Sequence, residues 1–286
     1  MNRFLPGGVA VLLGLTLLPS GADARRIAIT PIPHRIAMAD VVVIGKVGKV
    51  EEKNVSAIPS VGVKDKVEFQ VVALKIDSSL VGLKDVKEIR VGYLPAGTNV
   101  PGRPGRGGFN FVPMTDQEGV FFLNRHPEEN FYVAADMFPF LDKKTNTYEK
   151  DLDLVKSCAK MLADPTASLK AKDEKDRLMT VALLLTRYRT PKDGQSKTEA
   201  IDAAESKLIL QAIADADWNA KQDPNQPFAY LFTPQSLFFR LGLTDKDGFG
   251  PIKPNATPAE IQEMAKNWLK DNIDKYRIQR YVAEKK

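Results

Sequence analysis

The hydrophobic period of this 286-residue chain changes once, near Lys150. Before that point apolar residues alternate with a period of about two, and after it they recur about every 3.6 residues. An alternating pattern buries one face of a strand, and the longer one draws a stripe down a helix, so the chain has to build a β part first and a helical part second. In the first part, DVVVIGKVGKV (40–50), KVEFQVVALKI (66–76), EIRVGYL (88–94), GVFFLN (119–124) and NFYVAADMF (130–138) read as strands, the last two separated by a turn at His126-Pro127-Glu128-Glu129. Within the second strand Val67, Phe69 and Val71 share one face, whereas Val72, Leu74 and Ile76 share the other. That slip predicts a β-bulge near Val71 and Val72. No crossover helix separates the strands, so a small barrel with a long insertion between its third and fourth strands fits better than a parallel sheet.

From Lys150 onward the spacing predicts helices over 151–163 and over Asp173–Arg189, the second apolar almost all round and therefore buried among neighbours. Another is expected to start at Asp202, with Glu205 as its capping partner and Ile209, Ala212, Ile213 and Ala216 on one stripe. Thr257-Pro258-Ala259-Glu260 combines an N-cap, a proline at the first helical position and a returning glutamate. The stretches 190–198, 221–227 and 248–258 carry the breakers expected of connectors, and the tail KYRIQRYVAEKK reads as solvated. The expected fold class is α+β, an all-β barrel over residues 25–149 followed by an α-helical domain over 150–286.

Residues 1–24 read as a secretory signal. Arg3 precedes an apolar run from Val9 to Leu18, Pro19 and Gly21 break it, and Ala22-Asp23-Ala24 supplies the small residues of a cleavage site. That run is much shorter than the about 20 residues a membrane span needs, and no later segment is a spanning candidate. An exported protein, periplasmic or extracellular, is the expectation. Cleavage would remove one arginine and one aspartate, leaving the net charge at +5. With 41 Lys and Arg against 36 Asp and Glu, the excess is too small to imply nucleic-acid binding, and a local basic surface matters more. The single cysteine, Cys158, excludes an intramolecular disulfide. Val155, Cys158, Ala159 and Leu162 share one helical face, which places the thiol in a core as a small hydrophobe.

The succession ADVVVIGKV, VEFQVVALKI, IRVGYL and EGVFFLNRHPEENFYV, over about residues 38–140, resembles the netrin-like module of the metalloproteinase-inhibitor type. Exported bacterial modules share the same order of features. The resemblance implies that the barrel is OB-like. It does not carry inhibition with it: in that family a cysteine at the mature N-terminus holds the protease zinc, whereas this chain would begin Arg25-Arg26-Ile27 and lacks the family's disulfides.

The motifs point away from recognised chemistry. PGRPGRGGF (101–109) follows a strand as a phosphate cradle would, but it lacks the lysine and hydroxyl of that motif and leads towards another strand. Arg103 and Arg106 can still meet a carboxylate or phosphate as paired donors, with Phe109 beside them; the plain alternative is a solvated connector. His34 and His126 are the only histidines, and no H-E-x-x-H or Cys/His cluster occurs, so no metal ligands are assigned. His126 reads as an ordinary turn residue. No G-x-S-x-G exists, and Cys158 is a poor candidate nucleophile, so no catalytic residue is assigned. Asp245, Asp247, Gly250 and Ile252 match an EF-hand loop until Phe249 and Ala256 stand where oxygen ligands belong. Phe228, Tyr230, Phe232, Phe238 and Phe239 read as core packing around Thr233-Pro234.

The expected function is therefore non-catalytic binding, without a cofactor, of an envelope or extracellular protein or an anionic polymer. The barrel loops, 96–117 first among them, are the expected contact surface. An envelope hydrolase with a dispersed active site, or a structural or assembly subunit, are the alternatives.

Overall fold

The structure is a computed structural model that describes residues 30–95, 97, 98, 100, 111–192, 194–221 and 228–283. The expected signal segment 1–24 and the loop residues Arg103, Arg106 and Phe109 lie outside the described residues. A short helix α1 (Ile32–Met38) opens the described chain, followed by strands β1 (Val41–Val50), β2 (Val55–Ala57), β3 (Val67–Val81), β4 (Glu88–Tyr93), β5 (Glu118–Arg125), β6 (Tyr132–Ala134) and β7 (Phe140–Asp142). The helices after them are α2 (Tyr148–Ala163), α3 (Pro165–Leu169) and α4 (Glu174–Arg189). Strand β8 (Gln195–Ala200), helices α5 (Ala203–Ala214), α6 (Pro234–Arg240) and α7 (Pro258–Asn272), and strand β9 (Gln279–Ala283) complete it.

Strands run in the order β1-β3-β4-β6-β5, and β5 returns to β1, so five strands close a barrel. Neighbours are antiparallel except β4 and β6, which run parallel where Val91 meets Tyr132. The protein is thus α+β, an OB-like barrel followed by a helical region. Val43, Val72, Leu74, Val91, Phe121 and Leu123 fill the barrel interior.

The bulge expected near Val71 and Val72 is not found against β4, which pairs without a slip from Gln70 opposite Tyr93 to Lys75 opposite Glu88. The phase changes because β3 buries opposite faces at its two ends. Phe69 and Val71 lie under a satellite cluster outside the barrel, whereas Val72, Leu74 and Ile76 point inside. Against β1 the register does slip, between Val42 and Val43, between Ile44 and Gly45, and between Val47 and Val50, the last opposite Leu74 and Val72, so the irregularity expected there falls on the β1 side. A Cβ on Gly45 would lie 2.3 Å from the Lys75 carbonyl oxygen, so only glycine lets the two backbones approach there.

The helices cover the barrel on the outer face of β1 and β5. Val42, Val120 and Phe122 pack against Ile36 of α1, Val155 and Cys158 of α2, and Leu183 of α4. Those strands read VVVI and VFFL because both of their faces are buried. The other side of α4, with Val181, Leu184 and Leu185, belongs to the helical core together with Ile209, Phe238 and Trp268. Polar ties reinforce the seam: Lys192 pairs with Asp40, and Arg187 Nε donates to the Ala37 carbonyl, an orphan acceptor at the end of α1.

Two local expectations are corrected. The connector 190–198 and the basic tail pair as an antiparallel ribbon, β8 with β9, from Gln195 opposite Ala283 to Ala200 opposite Gln279. Neither strand has an apolar face to advertise it. The ribbon is anchored at its base, where buried Ile201 donates its N–H to Ile278 and Arg277 donates to the Ile201 carbonyl. At α5, Asp202 caps the N–H groups of Ala204 and Glu205 as expected, but Glu205 does not fold back; its carboxylate accepts the Tyr188 hydroxyl at 2.6 Å. The box at α7 is complete, with Thr257 and Glu260 bonded reciprocally. Among the described residues no helix is long and apolar enough to cross a membrane.

Candidate functional site

OB barrels commonly bind ligands across their second and third principal strands, between the two loops that flank that face. Here those strands are β3 and β4, and the loops are residues 51–66 and 126–131. Both loops lie across the face. β2 pairs with the start of β3 and sets Val55 and Ala57 there. Phe131 comes from the other loop, 5.3 Å from the Phe69 ring, over Gly92, where a Cβ would sit 2.4 Å from the Phe131 ring.

His126 fastens the two loops together. It is 6% exposed, and its Nε2 lies 2.9 Å from the Ile58 carbonyl oxygen while its Nδ1 faces the N–H groups of Glu128 and Glu129 at 3.2 and 3.0 Å. A carbonyl only accepts, so Nε2 carries the proton and Nδ1 accepts twice. The expectation of an idle turn histidine is therefore corrected. Arg90 makes a second tie, a two-point bond to Glu51 at 2.7 Å each, with Asn130 O within 3.4 Å of it. This pairing holds the Glu51 carboxyl below its usual range. Sequence spacing hid the clasp because His126 and Ile58 are 68 residues apart.

The loop between β4 and β5 is different. Arg103, Arg106 and Phe109 lie outside the described residues, but both ends of the loop are described. On one side Thr98 Oγ1 donates to the Pro95 carbonyl at 2.7 Å. On the other, Phe111 packs against Phe121 and Phe140 at the barrel interior, and Asp116 and Gln117 bond the two sides of Val47. Between those anchors Val112 and Met114 are exposed, Met114 by 63%.

A third feature lies where the barrel meets the helices. Pro31, Pro33 and His34 of the α1 segment, Ala182 and Thr186 of α4, Leu231 and Phe232 of a 3-10 turn, and Arg240 of α6 line a narrow cleft with about 10 Å³ of free volume, close to the lower limit for one water. Arg240 Nη1 donates to Thr186 Oγ1 at 3.2 Å. Burial pushes the His34 imidazole below its ordinary value; the nearby Asp136 charge opposes this, and Arg240 adds to it. Burial likewise lowers the proton affinity of Arg35, Arg187 and Arg240. Arg35 bonds Thr30 O and lies over the Phe138 ring. Asp136 accepts the Phe138 N–H through Oδ1, while its buried Oδ2 has no hydrogen-bond partner among the described residues.

The remaining sequence candidates have structural roles. Cys158 is buried in the seam, where desolvation pushes its thiol up to about 12. Asp247 spends its carboxylate on the N–H and hydroxyl of Thr244, and its carbonyl accepts Trp268 Nε1. Among the described residues no group of three or more His, Cys, Asp or Glu is placed to hold a metal ion. The aromatic series divides: Phe238 is core, against Trp268 and Phe249, whereas Phe228 and Phe232 are partly buried and Tyr230 and Phe239 are exposed, Tyr230 by 56%. No protein-family model matches this chain, and no curated protein matches it.

Proposed function

We propose that the protein is an exported, non-catalytic binding module of the cell envelope or extracellular space, with a barrel of the netrin-like kind, and that it holds an acidic protein or anionic polymer through the loop between β4 and β5. One observation carries the choice of loop. The usual OB face is closed by the chain's own loops, through His126 and Arg90, and the outer face of β1 and β5 is covered by helices. Of the barrel connections not closed in this way, the long one between β4 and β5 is the one whose sequence offers a pair of arginines within a glycine-rich stretch. Arg103 and Arg106 would supply paired donors for carboxylate, sulfate or phosphate groups, with Phe109 close to them in sequence and the exposed Val112 and Met114 a few residues on.

The test is retention on an immobilised anionic polysaccharide, comparing the native chain with the Arg103→Ala, Arg106→Ala double variant. The variant is expected to elute at clearly lower salt with an unchanged melting temperature, since counterion release makes such binding salt-dependent. Equal elution of the two proteins would sink the proposal.

A further inference from the structure

We propose that the clasp over the β3–β4 face is a pH-operated latch: when His126 takes up a proton, the turn 126–131 lets go of the loop 51–66 and bares the apolar cluster beneath. The turn is built to move as a unit, because its own ends are joined, His126 N–H to the Phe131 carbonyl at 3.0 Å. The strand that follows it, β6, meets β4 at a single pair, Val91 with Tyr132. Across the face, β2 of the opposite loop pairs with β3. The two loops are therefore tied to each other through the side chains of His126 and Arg90.

The latch needs an uncharged ring. Nε2 donates to the Ile58 carbonyl, and Nδ1 accepts the N–H groups of Glu128 and Glu129. A second proton can go only to Nδ1, where it would point at two N–H groups that have just lost their acceptor. Water is kept from relieving the mismatch. The buried ring lies edge-on to Phe69, with centroids 5.7 Å apart, and tilted against Phe131 at 4.6 Å, and unpaired donors in such a place are expensive.

The charges nearby decide how the turn opens. β3 offers the ring Phe69 and the loop 51–66 offers the Ile58 carbonyl, both uncharged. Charge comes from Glu128 and Glu129 of the turn itself, from Arg125, held over the Tyr132 ring, and from the pair of Arg90 and Glu51, where Glu129 also acts on Arg90. The Glu128 and Glu129 carboxylates can take the Nδ1 proton only after their own N–H groups have left it. The ring then turns out with them, which breaks its bond to Ile58. The other tie behaves differently. Arg90 holds the Glu51 carboxyl below its usual range, so that pair stays charged across the range of about pH 8 to 5 in which an imidazole gains its proton. Arg90 also reaches Asn130 O. Opening is thus confined to the His126 end, where the rings of Phe69 and Phe131 are bared.

Amide hydrogen exchange of the full chain, followed by NMR from about pH 8 to 5 and corrected for the intrinsic effect of pH on exchange, reads the latch directly. The opening constant of the Glu128 and Glu129 N–H groups should rise by about tenfold for each unit the pH falls, the limit for one linked proton, while amides of β1 and α4 keep theirs. His126→Asn retains an oxygen that accepts from turn N–H groups and takes up no proton, so its opening constant should stay level. His34 is still present in that variant, and a rise that persists there would overturn the proposal. The Glu128→Gln, Glu129→Gln double variant leaves the ring and its backbone bonds in place but removes the carboxylates that receive the proton, so the rise should move to lower pH. A level opening constant in the native chain, an equal rise at β1 and α4, or an unmoved rise in the double variant would also overturn it.

Discussion

His34 and His126 show how far environment separates two copies of one side chain. His126 spends both ring nitrogens on backbone groups; the His34 ring is partly buried with no hydrogen bond among the described residues, next in sequence to Arg35 and within reach of the Arg240 charge, two arginines whose proton affinity burial has lowered. The sign of its effect on stability follows. Burial places its folded value below the ordinary 6.5, so the unfolded chain takes the proton first. The stability held in the neutral ring is whole above 6.5 and declines as the pH falls from there through the folded value. His34→Gln should therefore lose less stability than the native chain between about pH 7.5 and 5.5. Melting temperatures of both proteins across that range test this; parallel curves would refute it. At this scale the burial of Cys158 was legible, because its stripe partners are three and four residues away. The clasp was not, because its donor and acceptor belong to different loops.

Elements were readable where their signals are local. The start of α7 lies within four consecutive residues, Thr257 to Glu260, and the structure forms the capping box that they spell. Thr257→Ala removes the acceptor of the Glu260 N–H and should cost about 1 kcal/mol in denaturant unfolding, with Thr257→Ser close to native. A loss no larger than that of an exposed alanine substitution elsewhere would mean that packing alone holds the helix start. The ribbon of β8 and β9 is the counterexample, since β8 is polar and mostly exposed, β9 is only half-buried, the two are about 80 positions apart, and nothing within either segment specifies the other. β3 lies between these cases. Its two apolar phases were visible, but a strand passing from one buried face to the other and a strand broken by a bulge produce the same pattern.

The whole molecule was legible as two periods and a boundary: helix begins at Tyr148, within two residues of the change near Lys150. How the halves meet was only half written, in runs such as VVVI and VFFL that bury both faces of a strand without naming what covers them. The cover is shared, because α4 serves the seam with one side and the helical core with the other. Phe122, fully buried in that seam, should therefore matter to both halves: Phe122→Ala is expected to cost about 3–5 kcal/mol and to lower barrel and helix signals together in one transition. The same variant should speed alkylation of Cys158, whose thiol the intact seam keeps protonated. Separate transitions for the two signals would show that the seam does not join them. Shared cover also has a consequence in time. Synthesis delivers Val42, Val120 and Phe122 before α2 and α4, so a newborn barrel waits with a bare apolar strip until the helices emerge. That interval is when the growing chain is most exposed to aggregation and most in need of a chaperone.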